Sequence, residues 1–284
     1  MWFSVDNLVL LLIQAACVVL PAAGLPGWAE RFRGKWWAII PPISVVVVIV
    51  AISVLPSTAD ALTWIALIGV PIGCALALGW AARGAWPPLA ILAAPLLAVA
   101  WVEPDTRIGQ LATALLVAGS AITLGRLLAG AAPLSWLKAG IYALAIVDAY
   151  LVFSGTLQHP NQVLVAAAPG PDLPQLQSAS FGHMTIGYGD FFAAAVVGGI
   201  LAAERRPQLV AGIATLVLSL AWDQLFLIYD ELPATIPPAL ALLLMEIACR
   251  RRDKNGGGRY CPGVREGRPD ASTSVPLESF SASG

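Results

Sequence analysis

The sequence predicts an all-α polytopic membrane protein with nine membrane-spanning helices, and three observations lead there. Of its 284 residues 58% are hydrophobic and only 12% are charged, with a mean hydropathy of +0.78. An ordinary soluble domain is roughly one-quarter charged. Apolar runs recur along the chain, broken by short clusters of charge, Pro and Trp, and a bilayer-spanning helix needs about 20 apolar residues. Finally, basic and non-basic connections alternate, as they do when successive loops lie on opposite sides of a membrane.

The first predicted span is 2–23. It lacks the basic region of a cleavable leader, because the first cation is Arg31, and its apolar run is long. Arg31, Arg33 and Lys35 follow it. The second span, 37–55, is followed only by Asp60, and the third, 61–82, by Arg83. The fourth, 87–103, leads to Glu103, Asp105 and Arg107, and the fifth, 108–130, to Arg126 and Lys138. No Lys or Arg follows the sixth, 133–155. Arg205 and Arg206 follow the seventh, 180–203, whereas Asp230 and Glu231 follow the eighth, 207–229. Arg250, Arg251 and Arg252 close the ninth, 234–250. This order places the N-terminus on the extracytoplasmic side and the C-terminus in the cytoplasm of a multi-pass cell-membrane protein. Trp28, Trp36, Trp37, Trp86, Trp101 and Trp136 fall at span ends, where interfacial anchors belong. The chain divides into a scaffold, 1–132, a part carrying the ionisable groups, 133–250, and a Gly/Ser/Pro-rich tail, 251–284. The tail has too little apolar surface to fold and is expected to be disordered.

Cys17, Cys74, Cys249 and Cys261 show no C-x-x-C spacing, and the chain has only two histidines, so no Cys/His metal site is expected. The net charge of −1 points to neither nucleic acid nor an acidic partner. The informative residues are two acids within apolar runs, because an ionisable group deep in a span is a functional candidate by default. Asp148 stands in AIVDAYLVFSG and Asp190 in TIGYGDFF. Spans six and seven join at their outer ends. There the two carboxylates lie at depths of ~10 and ~15 Å, close enough to face each other. Two such groups cannot both ionise cheaply and share a proton. The ionised one can take a proton from water while the protonated one polarises a peptide carbonyl, which is aspartyl protease chemistry.

A helical peptide bond is shielded by its own turn, so a protease must hold it extended. Gly187 and Gly189 let substrate backbone approach and tolerate unusual φ/ψ values. Pro237 and Pro238 should start span nine abruptly and leave unpaired backbone groups beside the site, where an extended substrate can pair by strand addition. The segment 162–168, QVLVAAA, is a second strand candidate between turn signals.

Gly187-Tyr188-Gly189-Asp190 resembles the G-x-G-D motif of the presenilin and signal peptide peptidase family of intramembrane aspartyl proteases. Asp148, followed by AYLVF, resembles that family's first aspartate motif, and Pro238-Ala239-Leu240 matches its P-A-L motif at the start of the ninth helix. The motifs come in family order and cover roughly 140–245. Val147 stands where the family has Tyr, and Pro237 where signal peptide peptidases have Gln. The resemblance implies a presenilin-like fold, Asp148 and Asp190 as catalytic residues, and Gly187, Tyr188, Gly189, Pro238, Ala239 and Leu240 around the substrate. It implies no cofactor, since water is the nucleophile, and no obligate accessory subunit. With the 6–7 connection outside, as in signal peptide peptidases, the implied substrates are single-span segments of type II orientation within the lipid bilayer, such as signal-peptide remnants.

Other polar residues read as structural. Asp223 sits at the wet outer end of span eight, and His183 is a gate-lining or satisfied polar residue. Glu246 has Arg250 at salt-bridge spacing. Two rival functions stand beside the protease. Prepilin peptidases also use G-x-G-D with a second aspartate but lack P-A-L. A transporter would use the pair as a proton relay, and no internal repeat favours it. There is no H-E-x-x-H and no G-x-S-G.

Overall fold

The computed structural model describes residues 5–27, 29–54, 57–155, 173–227 and 232–254. The chain forms α1 (Val5–Val19), then a 3₁₀ turn (Lys35–Ile39) leading into α2 (Ile40–Val54). Next comes α3 (Ser57–Leu76), which runs on as a π-helical turn to Ala81. A 3₁₀ turn started by Pro87 and Pro88 enters α4 (Ala93–Val102). After it come α5 (Arg107–Ala131) and α6 (Leu134–Phe153). A hairpin of β1 (Ser178–Phe181) and β2 (Met184–Gly187) precedes α7 (Tyr188–Ala203). α8 (Gln208–Trp222) and α9 (Ile236–Lys254) complete the order. Among the described residues, four stretches are helical for long enough, and apolar enough, to cross a membrane: Thr58–Ala81, Arg107–Ala131, Leu134–Phe153 and Gln208–Leu225. The outer surface is compatible with lipid. Ile91, Val102 and Ile146 are 75%, 77% and 70% exposed, and so large an apolar exterior is unusual for a protein in water.

α5 and α7 form the centre. α5 packs against α7, α3, α4 and α1, and α7 is buried along nearly its whole length past its first turn. Their sequences allow it, because small residues let backbones approach. At the crossing, a Cβ on Gly199 would meet the Gly125 carbonyl oxygen at 2.6 Å. α9 packs against α8, α7 and α6, so the three motif-bearing helices share one region.

A buried knot of charge ties one end of that region. Lys138 Nζ on α6 lies 2.5 Å from Glu204 at the end of α7 and 2.9 Å from Glu246 on α9. Arg206 Nε pairs with Glu204 at 2.8 Å, and the Tyr142 hydroxyl donates to Glu246 at 3.3 Å. Glu246 therefore turns to Lys138 across the bundle, not to Arg250 along its own helix. A partner on α6 pairs the charge inside the bundle, and buried charge is costly unless paired.

The predicted start of span seven is corrected. Residues 180–187 belong to a hairpin, and the helix begins only at Tyr188. Gly182, at φ +64, opens the two-residue loop Gly182-His183, a conformation that favours glycine and closes a hairpin. The hairpin is docked on α1 and α5. Gln110 Oε1 accepts from the Gly182 N–H at 2.9 Å, and Arg107 pairs with Asp6 at 2.6 Å while lying 5.1 Å over the Phe181 ring. Its strands are also joined by a Ser180–Thr185 hydroxyl bond of 2.8 Å. α9 continues four residues past the predicted end at 250. The strand candidate 162–168 and the tail beyond residue 254 lie outside the described residues.

Candidate functional site

Asp148 stands on α6 five residues before its last residue, Phe153. Asp190 stands in the first turn of α7, at the third helical position after its N-cap Gly187. Both are half-buried, and Asp148 is close enough for its charge to act on Asp190. The fold thus brings the two carboxylates within electrostatic reach of each other. Asp190 lies at a helix start rather than deep within one, because the hairpin supplies the chain above it.

Each carboxylate has its own donors. Asp190 reaches back to the Gly187 N–H, half of the reciprocal arrangement found at capped helix starts. A Cβ on Gly187 would sit 3.4 Å from Asp190 Oδ2. Asp148 Oδ2 accepts from the Thr235 hydroxyl at 2.6 Å, and the Thr235 N–H lies beside the same carboxylate. Thr235 is buried and immediately precedes α9, its carbonyl accepting from the Ala239 N–H at 3.3 Å. The residue before it is pinned from α1. Gln14 Nε2 donates to the Ala234 carbonyl at 2.9 Å, and Gln14 Oε1 faces the Ser219 hydroxyl of α8 at 3.5 Å.

The glycines and prolines act differently from expectation. Gly187 has φ −70 and ψ 155, ordinary extended backbone, and Gly189 is helical without positive φ. Gly189 contributes room: it is exposed, and a Cβ there would meet nothing within 4 Å. Pro237 and Pro238 occupy the first turn of α9, where N–H groups have no helical partner anyway. They start the helix abruptly, as expected. The carbonyls just before them, of Ala234 and Thr235, are already engaged rather than left open.

Of the remaining motif residues, Pro238 and Ala239 are buried and Leu240 is 37% exposed. Tyr188 turns its hydroxyl to Ser120 on α5 at 2.9 Å, anchoring the first turn of α7 to the central helix. Asp223 begins the 3₁₀ turn after α8 and faces Asn7 of α1 at 3.5 Å, and His183 is exposed at the hairpin tip. Among the described residues no group of three or more His, Cys, Asp or Glu can hold a metal ion.

Sequence reasoning passed over Thr235, Gln14 and Ser120. Thr235 was signalled by its place before Ile236-Pro237-Pro238. A Thr at an N-cap normally accepts from the N–H of the second or third helical residue, and here both are proline. Gln14 and Ser120 gave no comparable signal, since their partners are far away in the chain. Chemically, the site is a pair of hydrogen-bonded carboxylates in mutual electrostatic reach, beside open space at Gly189. Comparison of the chain with protein-family models, with curated proteins and with solved structures returns no match.

Proposed function

We propose that the chain is an intramembrane aspartyl endopeptidase of the presenilin and signal peptide peptidase type. It hydrolyses peptide bonds within membrane-spanning helices. The observation that carries this reading is that Asp148 and Asp190 lie in electrostatic reach of each other on adjoining helices, with Thr235 at the start of α9 against Asp148. The three motifs fall on α6, α7 and α9, in the order of the resemblance. The ionised aspartate takes a proton from water, whose hydroxyl adds to the peptide carbonyl carbon, while the other aspartate gives its proton to the carbonyl oxygen. Collapse of the resulting diol breaks the C–N bond, protonates the leaving nitrogen and returns the pair to its starting state. β2 runs directly into Gly187, so an extended substrate added along the hairpin would be led to the aspartates.

The finer reading is a nine-span, presenilin-like bundle with its N-terminus outside and the α6–α7 connection on the outer side. Type II single-span segments are its substrates. The alternation of basic loops supports that orientation, which reporter fusions test at the scale of the whole molecule.

The test is cleavage of a type II single-span substrate by the purified protein in liposomes, with Asp148→Asn and Asp190→Asn beside it. Asparagine keeps an acceptor for the Thr235 hydroxyl and the Gly187 N–H, so folding is expected to survive. Both variants should lose at least about 1,000-fold in rate, because each removes one of the two proton transfers, either water activation or carbonyl protonation, that the pair must make together. Wild type that cuts no helix in a panel would sink the protease reading and direct attention to proton-coupled flux.

A further inference from the structure

We infer that Thr235 is a positioning residue that holds Asp148 as the water-activating member of the pair; the inference rests on the protease reading of the site. Thr235 occupies the N-cap position of α9, since its carbonyl accepts the N–H of Ala239, four residues on. An N-cap hydroxyl ordinarily accepts from the second or third helical N–H. Those positions are Pro237 and Pro238, which have none. The hydroxyl is thereby released from capping and donates at 2.6 Å to Asp148 Oδ2 on another helix.

The Thr235 N–H lies beside the same carboxylate. A 2.6 Å bond from a buried hydroxyl fixes the carboxylate, and a donor favours its ionised form. Among the described residues no side-chain donor is bonded to Asp190, whose neighbour is the Gly187 N–H. The asymmetry assigns roles within a pair that shares one proton. Asp148, held by the Thr235 hydroxyl, is the base that takes the proton from water, and Asp190 keeps the proton that goes to the carbonyl oxygen.

The clamp is itself supported. Thr235 is only 5% exposed, and Gln14 of α1, fully within the bundle, holds the carbonyl of Ala234 next to it. The backbone that carries the hydroxyl is thus held from α1 while the hydroxyl itself is held on α6. An isolated structural cap would need no acid on α6. A second-helix acid as acceptor is what a positioning contact requires.

The experiment compares kcat and KM of full-length wild type, Thr235→Val and Thr235→Ser on the type II substrate in liposomes, with thermal unfolding of each in detergent. Valine keeps the shape and the N–H and removes the hydroxyl; serine restores the hydroxyl. The expected result is a kcat lower by roughly 10- to 100-fold in the valine variant with KM within about twofold of wild type. Serine should recover activity to within about threefold. A merely structural Thr235 would instead give a valine variant whose kcat stays at the wild-type level, or serine and valine variants that fall together in unfolding temperature and activity. Either result overturns the inference while leaving the protease reading in place. Wild type that cuts nothing overturns both.

Discussion

Asp190 caps the start of α7 by reaching back to Gly187, and an acid at the third helical position does this in many helices without catalysing anything. What separates it from an ordinary cap is the second carboxylate within reach and the empty space beside Gly189. That space gives a discriminating substitution. Gly189→Ala meets no neighbour, and alanine is favoured over glycine in a helix by up to about 1 kcal/mol. The variant is expected to unfold at the same or a higher temperature than wild type, yet to cleave at least about tenfold more slowly. The added methyl would stand where substrate backbone must approach. Unaltered initial rates would show that the glycine serves no such approach. At this scale the aspartates were legible because charge inside apolar sequence is conspicuous. Thr235 was not, because a hydroxyl names no partner until the fold supplies one.

Among the elements, α7 departs most from expectation. Hydropathy placed its start at residue 180, but short apolar runs do not separate strand from helix, and Gly182 with its positive φ turns the chain into a hairpin. The shortened helix then depends on close packing for its place. Gly199 and Gly125 bring α7 and α5 into backbone contact, while Gly198 faces the Val18 carbonyl of α1. Gly199→Val would drive a branched side chain into the Gly125 carbonyl. Overpacking costs about 1–3 kcal/mol or more, and here the clash is with backbone that cannot rotate aside. The expected outcome is a clear fall in unfolding temperature in detergent, with cleavage lost in proportion to the folded fraction. A variant as stable as wild type would contradict the α5–α7 contact. The glycines were visible in the sequence; their pairing across helices was not.

The molecule as a whole carries two charge patterns. One is the alternation of basic connections, which predicts the N-terminus outside and the C-terminus inside. Fusions of a reporter active only in the cytoplasm and one active only outside, placed at both termini and between α8 and α9, check it. The expected readout is cytoplasmic signal at the C-terminus alone. Cytoplasmic signal at the N-terminus would reverse the proposed substrate orientation. The other pattern is internal. Lys138, Glu204, Arg206 and Glu246 join α6, α7 and α9 at the end of the region opposite the aspartates. The three helices bearing the site are thereby tied below it as well as through it.

The sequence by itself determined that the chain is mostly apolar helix and that Asp148 and Asp190 are acids set in apolar sequence. It did so because the bilayer thickness and the cost of buried charge act on residues one stretch at a time. Only the tertiary structure decided that Asp190 sits at a helix start behind a hairpin. It likewise decided that Glu246 turns to Lys138, and that Thr235 meets Asp148 across 87 residues of chain. Each of those outcomes depends on which distant donor or backbone comes within a few ångströms. Local composition does not encode such distances; the packing of glycine and alanine faces between helices does.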